Sequence, residues 1–258
     1  ALALRHQKLN VSLCANSRLH LLIQSSGIDP CPLTLEQANQ VTEGQWVPLL
    51  SVPRQLEVSP SNPIINKPYI QSSTELNKKW QAILSAEPKP TIGINWRGNS
   101  IDKSRQNRNI PTHTFRKINT ACTGYFLCLQ RDTHPSEIEE ITFEQKMTPH
   151  QLEVLRIADS DNPEDFLEYA AIISNCDLVI TTGSTVAHLA AGIGIPTWVL
   201  LPKIPDWRWG FEGDTTFWYP SMRLFRQREK GNWDEVVERV TEALQKQFGQ
   251  RSMHSQSA

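Results

Sequence analysis

A turn rich in hydroxyl groups, Gly183-Ser184-Thr185, separates an apolar run from a helix-like segment. The run over 177–182 has the composition of a buried parallel strand, and small apolar residues recur at helical spacing from Val186 onward. The first N–H groups of a helix lack internal partners, and together they carry about half a positive charge. This arrangement predicts a seat for an anion such as a phosphate or diphosphate.

His188 strengthens this interpretation because it follows Ser184 and Thr185 by four and three residues, on the same face of the helix. Its imidazole N–H adds a donor, and Gly183 lets the backbone approach a ligand closely. The alternative is that Ser184 or Thr185 only caps the helix and that His188 is an ordinary histidine whose hydrogen bonds are satisfied.

A second polar group follows the apolar run over 91–96. Arg97 can clamp a phosphate, and Gly98 leaves room for it. Gln130 ends the next apolar run and can both donate and accept, as recognition of a base or sugar requires. The carboxyl ends of parallel strands share one edge of the sheet, so we expect these residues near the turn at 183–185. The alternative for Arg97 is an exposed side chain in an ordinary turn.

Basic and aromatic residues add two further candidate groups. Six basic residues and one acid lie between Arg97 and Lys117, which suggests a loop that faces an anion and makes Arg105 and Arg108 weaker candidates. Aromatic residues concentrate at 207–209 and 217–219. Such residues at a strand end can form the wall of a sugar or base site, or fill a gap between domains. We favour the second role for Trp218 and Tyr219.

The elements that position these residues alternate between strands and helices, which predicts an α/β fold with a parallel, doubly wound sheet. The predicted strands cover 11–14, 91–96, 125–130, 154–158, 177–182, 196–201 and 222–225. The predicted helices cover 17–27, 33–41, 74–86, 113–119, 163–174, 186–194 and 232–248, with a further helix within 136–146. We expect Asp161 or Asn162, and Asn232 with Glu235, to cap the helices that they precede.

Composition excludes several classes of protein. The 258 residues carry 26 basic and 27 acidic side chains, so net charge gives no case for nucleic acid or an anionic membrane as partner. No apolar run reaches the ~18 residues of a membrane-spanning helix. The five cysteines show no metal-ligand or disulfide spacing, which favours buried, reduced thiols and a cytoplasmic location. Neither a Walker A motif, a dinucleotide fingerprint nor a metal-ligand cluster is found, so we expect no metal and no bound cofactor.

The motifs taken in order resemble the donor-binding, C-terminal half of GT-B glycosyltransferases. The most similar members are the heptosyltransferase-like enzymes of family 9 and the tetratricopeptide-fused relatives of O-linked N-acetylglucosamine transferase. The matching stretches are WRGN (96–99), CLQ (128–130), NCDLVITTGSTVAHLAAGIGIPTWVLLP (175–202), PDWRW (205–209), FWYPSMRLFRQ (217–227) and GNW (231–233). More weakly, WVPLLSVP (46–53) and KPYI (67–70) resemble the end of the family's first domain and its linker.

The resemblance implies two Rossmann-like domains facing across a cleft. Residues 1–72 would be part of the N-terminal, acceptor-side domain with its linker. Residues 73–248 would be the complete nucleotide-sugar-binding domain, and 249–258 a disordered tail. It also implies which residues bind the donor, a nucleotide-diphosphate sugar. These are Thr182, Gly183, Ser184, Thr185 and His188 at the diphosphate, Arg97, Gly98 and Asn99 along the cleft, Gln130 at the nucleoside, and Trp96 and Trp207 as aromatic walls.

Two departures from the family pattern matter. The family commonly has Asp-Thr where this chain has Gly183-Ser184. The first strand and Gly-rich loop of the family, which carry acceptor contacts and the expected catalytic base, would precede residue 1. The chain also begins at Ala1, without Met and already in helix-like sequence, so we expect a fragment of a longer protein, with a possible tetratricopeptide region elsewhere.

The resemblance therefore implies inverting, metal-independent transfer of a sugar from a nucleotide-diphosphate sugar to a protein, lipid or glycan acceptor. Two alternatives remain open at this stage. The first is a non-catalytic GT-B remnant that binds a nucleotide or a partner. The second is another GT-B enzyme, such as a nucleotide-sugar epimerase.

Overall fold

The centre of the molecule is a five-stranded parallel sheet, seen in a computed structural model that describes residues 1–64, 67–98, 108–142 and 148–249. The order of the strands is β2-β1-β3-β4-β5. All neighbouring pairs are parallel. The described strands are β1 (Thr91–Asn95), β2 (Tyr125–Cys128), β3 (Leu178–Thr182), β4 (Thr197–Leu201) and β5 (Met222–Arg226).

The strand order creates a switch point between β1 and β3. The chain leaves β1 toward β2 on one side, then crosses back to form β3 on the other side and continues outward to β4 and β5. Ile94 pairs with Cys128 of β2 and with Ile180 of β3. Connections that diverge at a switch point leave a crevice at the carboxyl ends of the two strands, where ligands of such sheets bind.

Helices cover both faces of the sheet, and all of the five strands except β5 are buried along their whole length. One face packs Trp96 and Phe115 with the valines of the last helix, and the other packs Trp80 with Ile172. The described helices are α1 (Leu2–His6), α2 (His20–Ser25), α3 (Leu35–Asn39), α4 (Val52–Gln55), α5 (Thr74–Leu84), α6 (Thr112–Phe115), α7 (Pro135–Thr142), α8 (Pro149–Asp159), α9 (Pro163–Ser174), α10 (Thr185–Ile193) and α11 (Asp234–Phe248). No described helix is long and apolar enough to cross a membrane.

Helix α9 precedes β3 and helix α10 follows it, and both begin and end within one residue of the predicted bounds. Asn162 caps α9 by accepting from the N–H of Glu164 at 3.0 Å. Gly194 ends α10 in the left-handed region with φ +98°, which a glycine adopts without strain. Gly192, by contrast, lies inside α10 and does not end it.

The last helix, α11, begins at Asp234 with Trp233 at the N-cap position, so the prediction that Asn232 is the N-cap residue is wrong. The Asn232 side chain accepts from the N–H of Glu235 at 3.3 Å. The Glu235 carboxylate does not return to Asn232, because it accepts from the N–H of Arg228 at 2.8 Å. The predicted reciprocal capping box is therefore wrong in its second half. Residues 250–258 of the predicted disordered tail lie outside the described residues.

Two predicted strands are wrong. Residues 154–158 belong to α8, which begins at Pro149 with Thr148 accepting from the N–H of Gln151 at 3.2 Å. Its buried residues Val154, Leu155, Ile157 and Ala158 have the i, i+1, i+3, i+4 spacing of a helix face, which a short window does not separate from a strand. Residues 11–14 form only a single bridge, between Cys14 and Leu33.

The expectation of buried cysteines holds for only part of the set. All five cysteines are free. Cys128 is buried in β2 and Cys176 is buried just before β3, whereas Cys14 and Cys31 are exposed near the start of the chain.

The outer edge of the sheet is closed by a side chain. The carboxamide of Gln151 in α8 accepts from the N–H of Cys128 at 3.0 Å and donates to its C=O at 3.2 Å. Gln151 thus satisfies the backbone of β2 on the side that faces no strand, and it is 4% exposed. Unpaired edge groups invite pairing with another chain, so this contact both stabilises the fold and protects the edge.

We predict that Gln151→Leu lowers the free energy of unfolding by about 2 to 4 kcal/mol, because it leaves the two backbone groups of Cys128 buried and unpaired. Urea denaturation measures the change. The matched control is Gln81→Leu on the exposed face of α5, for which we expect a change within about 0.5 kcal/mol. Equal effects of the two substitutions would contradict the edge role of Gln151.

Candidate functional site

A cavity of about 740 Å³ opens at the carboxyl ends of β1 and β3. Its volume lies in the range of small-molecule sites. The cavity is bounded by the ends of three strands, the start of α10, the turn at 206–209 and part of the first fifty residues. Its polar and charged lining residues are Arg18, Asn95, Arg97, Arg108, Gln130, Arg131, Asp132, Ser184, Thr185, His188, Asp206 and Arg208.

The start of α10 points into this cavity without a side-chain cap from the described residues. Ser184 occupies the N-cap position, but its hydroxyl does not bond to the first turn. It lies 2.9 Å from Asn95 Oδ1 and 3.0 Å from the hydroxyl of Thr181. Thr185 begins the helix and is exposed. The N–H groups of the first turn and the Thr185 hydroxyl are therefore left for a ligand, and a capping role for Ser184 is excluded.

Asn95 connects the ends of three strands. Its Oδ1 accepts from the hydroxyls of Thr181 and Ser184, both at 2.9 Å. Its Nδ2 donates to Gln130 Oε1 at 2.9 Å. These partners fix the orientation of the amide, because only the oxygen can accept from two hydroxyls. Asn95 is not among the candidates that the sequence predicts, although a polar residue at the last position of a buried strand was an available signal.

Gln130 borders the cavity, but its amide is already used by neighbouring groups, and its predicted contact with a nucleoside stays a prediction. Its Oε1 also accepts from the N–H groups of Trp96 and Arg97, at 3.2 and 3.0 Å. Its Nε2 donates to the C=O of Arg131 at 2.9 Å. The side chain is 3% exposed and its donors and acceptors serve the backbone that follows β1.

Arg97 borders the cavity, but its guanidinium is already paired. It makes a bidentate contact with Glu137 at 2.7 and 2.9 Å and also donates to the C=O of Asp132. Burial favours the neutral acid, yet the hydrogen bonds from Arg97 and from the N–H of His134 hold the pKa of Glu137 below its usual value. A phosphate clamp at Arg97 would therefore require exchange of Glu137 for the ligand.

Gly98 has open space beside it among the described residues, and its predicted role of leaving room for a phosphate stays a prediction. None of the described atoms lies within 4 Å of the position that a Cβ would take there, and its N–H donates to Asn109 Oδ1 at 3.1 Å. Asn99 and Arg105, two further sequence candidates, lie outside the described residues. Arg108 does border the cavity, 3.5 Å from Asp206.

His188 is held by two aromatic residues. Its ring stacks on Trp209, with ring centres 5.1 Å apart and planes inclined by 18°. Its Nδ1 lies 3.0 Å from the hydroxyl of Tyr219. Burial, and then the positive charge of Arg208, lower the pKa of His188 to about 4, with Asp206 opposing in part. The imidazole is consequently neutral at physiological pH.

The predicted aromatic walls are not where the sequence placed them. Trp96 is 1% exposed and packs on Phe115 in the core, at a ring distance of 5.9 Å. Trp207 is 54% exposed and meets Trp218 edge to face, outside the cavity. The tryptophan that borders the cavity is Trp209. Alternate residues of a tight turn point in different directions, so sequence alone does not separate the two.

The position of Trp209 gives a reason for the glycine at 183. A Cβ on Gly183 would lie 3.1 Å from Trp209 Nε1, tighter than an ordinary contact. The close approach that we predicted at Gly183 is therefore made by an indole of the protein itself. Thr182, just before it, is completely buried and does not border the cavity, so its predicted contact with a ligand is wrong.

The charge of the cavity wall is positive. Five arginines and two aspartates line it. Two of the arginines, Arg108 and Arg208, share the single carboxylate of Asp206 at 3.5 and 2.7 Å. Such an excess attracts an anionic ligand. Within the described ranges, no group of three His, Cys, Asp or Glu side chains is placed to hold a metal ion.

Comparison with known proteins finds distant relatives. No protein-family model matches the chain. Protein FlbA of Caulobacter vibrioides (strain ATCC 19089 / CIP 103742 / CB 15) is 28% identical over 166 residues, which are 64% of this chain and 27% of FlbA. The chain therefore corresponds to about a quarter of the length of this curated relative.

Two solved structures share part of the chain path. The glycosyl transferase family 9 protein of Veillonella parvula DSM 2008 is 14% identical with a TM-score of 0.43, covering 69% of this chain and 53% of that one. The ADP-heptose LPS heptosyltransferase II of E. coli is 16% identical with a TM-score of 0.47, covering 95% and 79%.

The burial of His188 predicts a pH dependence of stability. Its pKa falls from 6.5 to about 4 on folding, so the unfolded chain binds more protons between these values. Stability is then lost as the pH falls through this window. Relative to His188→Gln, which lacks the titrating group, we expect the unmodified chain to lose about 2 kcal/mol between pH 7.5 and 4.5 in urea denaturation.

The control is His134→Gln at an exposed histidine, which should keep the pH slope of the unmodified chain. If His188→Gln shows that same slope, the burial of His188 has no energetic consequence and the expectation is wrong.

Proposed function

We propose that this chain binds a nucleotide-diphosphate sugar, with the diphosphate at the start of α10, and that it belongs to a glycosyltransferase. The observation that carries the proposal is the uncapped start of α10 at the switch point of the sheet. Thr185 and His188 stand beside it, in a cavity with excess positive charge. The order of the motifs that resemble GT-B glycosyltransferases supports the same assignment.

The chemistry follows from where charge develops. When the bond between the sugar and the diphosphate breaks, negative charge accumulates on the leaving diphosphate. Backbone N–H groups and hydroxyls that are already oriented stabilise that charge without reorganising at the moment of reaction. The first turn of α10 and Thr185 supply such donors, and neutral His188 supplies one more if its Nε2 carries the proton. Arg108 and Arg208 add a positive field at the same wall.

Transfer would take place in one displacement, which inverts the configuration at the anomeric carbon of the sugar. A base removes the proton of the acceptor hydroxyl while the diphosphate leaves, and no covalent intermediate on the protein is needed. We place that base outside this chain, on the acceptor-binding side of the intact protein. The acceptor is a protein, lipid or glycan, and a tetratricopeptide region in the intact protein would offer a surface for it.

Isothermal titration of the full chain with UDP, GDP, ADP and CMP tests the donor site. We expect one nucleotide to bind. His188→Ala and Thr185→Val should each weaken its binding by about tenfold, which is the effect of losing one hydrogen bond to a charged phosphate oxygen. The matched control is Thr215→Val, an exposed threonine away from the cavity, which should leave the affinity unchanged.

Binding that both substitutions leave unchanged would contradict the assignment of the site. Absence of binding for every nucleotide would contradict donor binding by this chain and favour the alternative, a module that contacts a protein partner without turnover.

A further inference from the structure

Tyr219 stands behind His188, on the side away from the cavity. It lies in the connection between β4 and β5 and is 8% exposed. Its hydroxyl is 3.0 Å from His188 Nδ1 and 3.4 Å from the hydroxyl of Tyr69. The ring centres of Tyr219 and His188 are 5.7 Å apart and inclined by 56°. From its position in the sequence, Tyr219 is expected to fill a gap between domains and is not assigned to the site.

The direction of the hydrogen bond follows from the chemistry of the two groups. A phenol is a good donor and a poor acceptor, because its lone pair is delocalised into the ring. An unprotonated imidazole nitrogen is a strong acceptor. The favoured arrangement is therefore Tyr219 O–H donating to Nδ1 of His188. The Tyr219 oxygen then accepts from the hydroxyl of Tyr69.

The backbone of Tyr69 is held in place. The hydrogen bonds that run from Tyr69 through Tyr219 to His188 therefore start from a fixed residue. The N–H groups of Tyr69 and Ile70 both donate to the C=O of Gly192 in α10, at 2.9 and 3.0 Å. A Cβ on Gly192 would lie 2.6 Å from Ile70 and 3.3 Å from Tyr69, so this close approach depends on the glycine. The segment around Tyr69 is thereby fastened to the helix that carries His188.

We propose that Tyr219 is a positioning residue that holds His188 in the tautomer protonated at Nε2, so that His188 donates a hydrogen bond from Nε2 to an oxygen of the bound ligand. The stack on Trp209 fixes the plane of the imidazole, and the bond from Tyr219 fixes its rotation within that plane. Nε2 has no hydrogen-bond partner among the described residues, and His188 borders the cavity. The identity of the ligand oxygen as a phosphate oxygen rests on the proposed function.

Two charged residues face this histidine from the turn at 206–209. Arg208 disfavours its protonation and Asp206 favours it, while burial outweighs both. Tyr219 and Tyr69 present neutral hydroxyls from the opposite side, since the pKa of each is raised above its usual value by burial. A neutral ring has one proton to place, and the hydroxyl of Tyr219 determines which nitrogen receives it.

Nitrogen-15 NMR of the histidine rings in the full chain, without ligand, tests this directly. The signal of His188 is identified by its loss in His188→Gln. We expect a protonated Nε2 and an unprotonated Nδ1 in the unmodified chain, and a mixture of tautomers in Tyr219→Phe, which keeps the ring and removes the hydroxyl. Tyr69→Phe should retain the tautomer, because the bond from Tyr219 to Nδ1 remains.

A second buried pair supplies a matched control. The hydroxyl of Tyr125 lies 2.9 Å from His150 Nε2, away from the cavity. Tyr125→Phe removes a buried hydroxyl bonded to a histidine, as Tyr219→Phe does, but it should leave the His188 signals unchanged. In titrations with the nucleotide that binds, Tyr219→Phe should weaken affinity by about fivefold, and Tyr125→Phe should not.

The NMR and titration results distinguish a failure of the positioning role of Tyr219 from a failure of the proposed function. A protonated Nδ1 in the unmodified chain, or an unchanged tautomer in Tyr219→Phe, overturns the positioning role whatever the ligand is. If the tautomer shifts as expected but no nucleotide binds to the unmodified chain, the positioning role stands and the proposed function fails.

Discussion

The buried carboxamide of Asn95 is the contact on which the candidate site depends. It lies where β1 ends, and it reaches β2 through Gln130 and β3 through Thr181. By also engaging Ser184, it removes the side chain that would otherwise cap α10. One amide therefore both aligns three strand ends and leaves the first turn of the helix with unsatisfied donors. The contacts that align this edge of the sheet therefore also produce the uncapped helix start on which the proposed anion site depends.

The arginines around the cavity also share their partners. Arg108 and Arg208 share Asp206, and Arg18 and Arg131 share Asp161 at 3.3 and 2.9 Å. Arg131 also lies 4.0 Å from Asp132, so of these two described pairs only the one that shares Asp206 retains a positive excess. His188 differs from these residues because it is neutral. In the proposed site it would supply a directional hydrogen bond while the arginines supply a positive field, and a directional donor distinguishes a specific anion site from a merely basic surface.

The sequence predicts the parts of this molecule that depend on local pattern. The apolar runs of β1 and β3, the glycine that ends α10 and the hydroxyl-rich turn between strand and helix all appear where expected. Their signals lie within a few residues, so no knowledge of the rest of the chain is needed. The prediction of α8 as a strand fails for the same reason, because its apolar residues fit either period over so short a stretch.

The parts that depend on partners distant in sequence were not predictable. Arg97 is paired with a glutamate forty residues away, and Gln130 is used by backbone more than thirty residues away. Both look available when only their own neighbours are considered. The same holds for the tryptophans. Trp96 was expected at the cavity but is buried, and Trp209 lies there instead, since the contacts that place each ring belong to other elements.

The pairing of Gly183 with Trp209 bears on the most conspicuous departure from the family that the sequence resembles. An aspartate at 183 would begin with a Cβ only 3.1 Å from Trp209 Nε1, and its carboxylate would need still more room. A side chain at 183 would fit only if the indole of Trp209 moved by a few tenths of an ångström. Trp209 also provides the ring on which His188 stacks, so the position of this indole links residue 183 to the imidazole. An aspartate at 183 would therefore press against the tryptophan that orients His188.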